Sequence, residues 1–199
     1  EGIANNTFTA GLLDLELGQT SSLPFNVTNV VPGQTGQGKV TLTNVAGSID
    51  GKLDVSLTNV IDNENDMIEP ETQSVMGIGG HMTTGDYAGN GGELDFFLQF
   101  AAFIDVNRDG IFNTGDIQLA YGGQKSAYPG FWGGDFHYSG LYGMLPGWND
   151  VTTLSGGQSV DLVVMWQVPT ESTDANYSQN MAMTDSLGFD AGFLLNQIH

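Results

Sequence analysis

Thr7-Phe8-Thr9-Ala10-Gly11-Leu12-Leu13-Asp14-Leu15-Glu16-Leu17 sets Leu13, Leu15 and Leu17 on one side of an extended chain and Asp14 and Glu16 on the other. Successive side chains of a strand point to opposite faces, so this alternation reads as one face buried and one face wet. The same period of two returns at Leu23-Phe25-Val27, Val40-Leu42, Leu53-Val55-Leu57, Phe96-Leu98-Phe100, Val160-Leu162-Val164-Trp166-Val168 and Leu187-Phe189-Ala191-Phe193-Leu195. Gly, Asn, Asp and Pro fill the intervals, as in Val31-Pro32-Gly33-Gln34 and Ser155-Gly156-Gly157-Gln158, and these residues turn a chain between strands. No long amphipathic helix interrupts the series, although Asn63 to Gln73 has room for a helical turn or two with Met67 and Ile68 inward. The pattern predicts about eight to ten strands in two packed sheets, an all-β, jelly-roll-like sandwich with long loops.

Ahead of the first alternating run, Glu1 to Thr9 is too short to fold on itself, yet it carries Ile3, Ala4 and Phe8, with Ala10 just beyond. Two readings cover those apolar groups. The segment is a frayed end or a first strand tucked into its own sheet; or it is a strand offered to a neighbouring molecule and held there by main-chain hydrogen bonds. The second reading divides the chain into a donor segment at 1–10 and a single β domain at 11–199.

With 199 residues the chain is long enough for one large sandwich with a sizeable core, and it has no cysteine for disulfides, thiolate metal sites or a thiol nucleophile. Only 4 Lys and Arg stand against 23 Asp and Glu, a formal charge of −19 whose field repels nucleic acid and anionic lipid. The longest apolar run, Phe96 to Ile104, has strand length, far short of the roughly 18 residues of a membrane-spanning helix. Glu1 stands where an initiator Met is expected, which fits a mature, secreted chain whose signal peptide has been removed. Sequons at Asn5, Asn26 and Asn176 would accept glycans in an exported protein.

From Tyr121 to Trp148 the alternation gives way to glycines interleaved with Tyr128, Phe131, Trp132, Phe136, Tyr138 and Tyr142. A loop insert of this length with no strand of its own tends to be functional. It either wraps the sandwich and seals an edge of the core or forms a contact surface, with a sugar platform as a third choice.

Asp105-Val106-Asn107-Arg108-Asp109-Gly110-Ile111-Phe112-Asn113-Thr114-Gly115-Asp116 offers oxygen ligands at positions 1, 3, 5, 9 and 12 of a twelve-residue calcium loop. Gly110 at position 6 permits the sharp turn, and Ile111 at position 7 presents its carbonyl. A hard cation needs six to eight oxygens, which one carboxylate cannot supply and a turn lined with short polar side chains can. Asp105, Asn107, Asp109, Ile111, Asn113 and Asp116 are therefore the expected ligands, with Asp116 in the place of the usual closing Glu. Both flanks, Phe96 to Ile104 and Ile117 to Tyr121, read as strands, so calcium is expected to clamp a hairpin and not to drive a helical switch. The alternative is an Asx-rich turn that binds nothing. A second acidic cluster, Asp62-Asn63-Glu64-Asn65-Asp66 with Glu69 and Glu71, lacks the central glycine; it reads as a solvated loop or a weaker cation site.

Catalytic raw material is scarce. His81, His137 and His199 are far apart and form no H-E-x-x-H pattern, a G-x-S-x-G nucleophile is absent, and the glycines of Gly77 to Gly92 lack a phosphate-holding Lys. No catalytic residues are assigned, and the chain reads as a non-enzyme.

Taken in order, four blocks resemble the TasA and camelysin family of secreted fibre proteins, including its archaeal bundling pilins. They are Thr7 to Leu15; Val31-Pro32-Gly33 with Val40 to Asn44 and Leu53-Asp54-Val55; Leu94-Asp95-Phe96-Phe97 leading to Phe103-Ile104-Asp105; and Leu154 to Gln158 with Met165 to Pro169, Asn176 to Gln179 and Phe189 to Gln197. The resemblance implies a jelly roll, export with a cleaved signal peptide, and a cell-surface filament or pilus. Its subunits would join head to tail as identical copies by donating the N-terminal strand, with lateral bundling as a further association. The insert at 121–148 and the extended calcium loop depart from the family pattern. Camelysin's metallopeptidase label suggests a secreted peptidase as one alternative function, and the calcium loop alone suggests a dockerin-like binding module as another.

Overall fold

The computed structural model describes residues 13, 15–17, 27–28, 31–63, 94–130, 136–170 and 186–198. They form an all-β sandwich of two antiparallel sheets. The strands are β1 (Leu15–Leu17), β2 (Val27–Thr28), β3 (Thr35–Asn44), β4 (Gly51–Asn63), β5 (Gln99–Asp105), β6 (Ile117–Ala120), β7 (Gln124–Ala127), β8 (Ser139–Gly140), β9 (Gly147–Leu154), β10 (Ser159–Gln167) and β11 (Ser186–Gln197). One sheet runs β1-β3-β10-β5-β6-β7, with β8 also on β5, and the other runs β2-β11-β4-β9. The chain changes sheet at each step from β1 to β5 and again at each step from β8 to β11. Apart from the meander β5-β6-β7, hydrogen-bonded neighbours are not consecutive in sequence, the jelly-roll-like feature of the fold.

The alternating runs supply the two inner faces. Val40 and Leu42 of β3, Val160, Leu162, Val164 and Trp166 of β10, and Phe100, Ala102 and Ile104 of β5 meet Leu53, Val55 and Leu57 of β4 and Leu187 and Leu195 of β11 in one core. Leu13 and Leu15 pack against its margin. Trp166 pairs in register with Gly36 and lies over it, so that a Cβ on Gly36 would come within 2.5 Å of the indole. Trp148 of β9 is buried in the same core and satisfies its indole N–H on the Ala120 carbonyl at 2.8 Å.

Both expected turns are present. Gln34 donates its N–H to the Val31 carbonyl at 3.0 Å with Gly33 at φ 84°, and Gln158 donates to Ser155 at 2.8 Å with Gly157 at φ 87°. These are left-handed positions, where glycine avoids the clash of a Cβ.

Two sequence readings need correction. Phe96 to Leu98 does not begin a strand: Leu94–Phe97 forms a single helical turn, α1, in which Leu98 donates its N–H to the Leu94 carbonyl at 2.8 Å. Leu94, Phe97 and Leu98 are all buried, a spacing that serves a helical turn as well as strand alternation serves the residues after it. Nor is the Tyr121 to Trp148 insert without strands, because it holds β7, β8 and the start of β9. The pair β6–β7 matches Ile117 with Ala127 and Ala120 with Gln124, which lengthens the first sheet instead of leaving a free loop.

No helix among the described residues is long and apolar enough to cross a membrane. Ile3, Ala4, Phe8 and Ala10, the sequons at Asn5, Asn26 and Asn176, residues 64–73, and His81 and His199 lie outside the described residues.

Candidate functional site

The loop from Asp105 to Asp116 joins β5 to β6, and strands flank it on both sides, as its sequence predicts. Asp105, the last residue of β5, is buried, and its carboxylate accepts N–H groups from Arg108 and Gly110, each at 2.6 Å. The second bond folds the chain back at Gly110, whose φ of 79° suits a residue without a Cβ. Asp116, also buried, closes the loop by accepting from Val106 N–H at 2.9 Å and Asn113 N–H at 2.8 Å.

Between these two anchors the remaining expected ligands converge. Asp109 accepts from Ile111 N–H at 2.8 Å and from the side-chain amides of Asn113 at 2.8 Å and Asn107 at 3.1 Å. The Asn107 amide also donates to Asn113 Oδ1 at 3.0 Å, and the Asn113 amide to the Ile111 carbonyl at 3.0 Å. Asn107, Asp109, Ile111 and Asn113 thus form one hydrogen-bonded group, while Asp105 and Asp116 are bonded to the loop's main chain. Among the described residues, no three His, Cys, Asp or Glu side chains are grouped to hold a metal by themselves. Any cation here would draw on amide and carbonyl oxygens as well as carboxylates, which is a hard-cation donor set.

The donors fit that use. A carboxylate has about four acceptor positions, so Asp105 and Asp116 each keep acceptor capacity beyond their two main-chain bonds. The electrostatics point the same way. Burial raises the pKa of Asp116; its bonds from Asn113 and Val106 oppose the rise, and the charges of Asp105 and Asp109 add to it. Asp109 is lowered, first by the Ile111 N–H; burial opposes this, and the Asn113 and Asn107 amides add smaller lowering effects. The charges of Asp105 and Asp109, which raise Asp116, are charges that a bound cation would offset.

The loop is fastened to the outer face of the first sheet. Phe112 meets Phe136 at a ring-centroid distance of 4.6 Å, Tyr128 at 5.1 Å and Phe103 at 5.4 Å. Residues of the insert therefore cover that face, which favours the sealing role over a free contact surface for Tyr128 and Phe136. His137 is exposed in this region.

Asp161, near the start of β10, was not apparent from the sequence as part of this site. It is fully buried and stands opposite Asp105 on one side and Thr41 on the other. Lys39 donates to its Oδ2 at 2.7 Å, Thr41 to its Oδ1 at 2.6 Å, and Arg108 Nε to Oδ1 at 3.2 Å. Burial alone would raise Asp161, but the bonds from Lys39 and Thr41 and the charges of Lys39 and Arg108 outweigh it and hold the carboxyl below its usual range. The one available signal was a carboxylate inside the apolar run Val160 to Val164.

No known protein-family model matches the chain, and no curated protein matches it in sequence.

Proposed function

We propose that the protein is a structural subunit of an extracellular filament or pilus, with calcium bound in the loop 105–116 as a clamp on the β5–β6 hairpin. The observation that carries the calcium part is the convergence of Asn107, Asp109, the Ile111 carbonyl and Asn113 between the anchored carboxylates Asp105 and Asp116. A loop closed at both ends by main-chain bonds to buried carboxylates and flanked by strands has little room to swing, so the ion stiffens it and does not switch it. Affinity in the range of extracellular modules, about 10⁻⁴ to 10⁻³ M, is sufficient where calcium is plentiful.

The filament part rests on the family resemblance of the sequence blocks. A strand donated to an unpaired sheet edge of a second copy would turn an aggregation hazard into a directed head-to-tail contact. In this reading residues 1–10 are the donor, with Ile3, Ala4, Phe8 and Ala10 as the side chains that lodge in the acceptor. Each ladder bond adds roughly 0.5 to 1.5 kcal/mol and a buried Phe or Ile roughly 1.5 to 3, so one strand suffices for tight assembly. The chain reaches the cell surface by secretion with a cleaved signal peptide, and it performs no catalysis.

Calorimetric titration of calcium into metal-stripped protein tests the clamp, with one ion per chain expected. Electron microscopy of the whole chain and of residues 11–199 tests the donor role.

A further inference from the structure

We propose that Asp161, which is not a ligand, is the positioning residue of the cation loop, an inference that rests on the reading of residues 105–116 as a calcium site. Two of the chain's four cationic residues, Lys39 and Arg108, converge on this one buried carboxylate. Lys39 comes from the neighbouring strand β3, whereas Arg108 comes from position 4 of the loop and reaches back over β10. Its Nη2 also approaches Thr41 Oγ1 at 3.4 Å, so the guanidinium lies against the outer face of the first sheet.

Arg108 occupies a left-handed backbone conformation, φ 65°, which is unfavourable for a residue with a Cβ. In that conformation its own N–H meets Asp105 Oδ1, and two residues later Gly110 N–H meets Asp105 Oδ2. The ion pair with Asp161 is what the side chain gains from this backbone, and the turn it maintains fixes the carboxylate of the first ligand. Asp161 and Asp105 face each other across the β5–β10 pair, where like charges repel. Lys39 and Arg108 offset the charge of Asp161, and the loop N–H groups take up that of Asp105. Without Asp161 the Arg108 side chain is free to turn toward the carboxylates of its own loop and compete with the cation there.

The test is a calcium titration of the metal-stripped chain of residues 1–199 by calorimetry, together with trypsin cleavage after Arg108 in calcium-free buffer. Asp161→Asn is expected to raise the calcium Kd by about tenfold, the lower end of the effect of losing a direct partner of a ligand, because it acts on the ligands only through Arg108, and to speed cleavage at Arg108. Arg108→Gly and Arg108→Ala remove the same charge, but only glycine holds the left-handed turn without the ion pair; Arg108→Gly should bind calcium about tenfold more tightly than Arg108→Ala. If Asp161→Asn does not fold, this second comparison tests the turn through which Asp161 acts; both variants are titrated at a temperature where circular dichroism shows them folded, so that glycine's greater stability at a left-handed position does not enter the Kd. Wild-type affinity in Asp161→Asn, or equal affinities in the two Arg108 variants, would overturn the positioning role while leaving the calcium site standing. Failure of the wild-type chain to bind calcium at all would remove the site itself.

Discussion

Tyr128 meets Phe112 edge to face, with ring centroids 5.1 Å apart, and donates its N–H to the carbonyl of Asp116 at 2.9 Å. The Gly and aromatic insert is thus held at once to the middle of the loop, through a ring, and to its last residue, through the main chain. Phe112→Ala should therefore loosen both segments together. A half-buried ring in an edge-to-face contact implies a cost of about 2 kcal/mol. Urea unfolding measures the loss, and hydrogen exchange at the Tyr128 amide should quicken in parallel; quickened exchange in the loop but not at Tyr128 would uncouple the two.

Calcium should raise the melting temperature. At ten times its Kd the ion adds about 1.4 kcal/mol, equivalent to about 3–6 °C for a chain of this size. Asp109→Ala removes the side chain on which Asn107, Ile111 and Asn113 converge, and it should abolish the calcium-dependent rise. Differential scanning calorimetry with and without calcium checks both. A melting temperature indifferent to calcium in the wild-type chain would rule out the clamp.

Acid should act on two buried carboxylates in opposite senses. Asp161 has a depressed pKa, so its stabilisation is present above the ordinary carboxylate value near 4 and is lost as pH falls through its lower folded value. Asp116 has a raised pKa; the folded chain binds its proton more readily than the unfolded one, and stability declines as pH rises through its folded value. Bound calcium keeps Asp116 ionised at no such loss. In metal-stripped protein the joint contribution of these two carboxylates should therefore be greatest near the ordinary carboxylate value of about 4 and decline on either side, and calcium should remove the decline on the alkaline side. Urea midpoints across this range, with and without calcium, provide the measurement; superimposable profiles would contradict the assignment.

Gly147 should tolerate no side chain. Its φ is 119°, and a Cβ there would collide with the Val55 carbonyl oxygen and lie 2.7 Å from Ser56 Cα, where β9 and β4 approach through their main chains. Gly147→Ala should cost about 3 kcal/mol, readable as a fall in the urea midpoint at constant slope.

The sequence carried the sheets because burial on one face writes itself as alternation: Val160, Leu162, Val164 and Trp166 could be assigned inward without knowledge of their partners. Pro-Gly and Gly-Gly marked both turns for the same local reason. The loop from 105 to 116 was legible because its side chains mainly serve one another over short spans. Legibility failed where four residues fit two periods, as at Leu94 to Phe97. It failed again at Gln124 to Ala127, a largely exposed edge strand with no apolar face to reveal it. Asp161 was hidden for a different reason: its partners Lys39 and Arg108 lie 122 and 53 residues away, and only the folded sheet brings them together.

Negative-stain electron microscopy of the whole chain beside residues 11–199, both in calcium, tests the filament account most directly. Filaments from the whole chain and folded monomers from the shortened one are the expected result. Filaments of normal length from residues 11–199, or monomers alone from both under every condition, would contradict it.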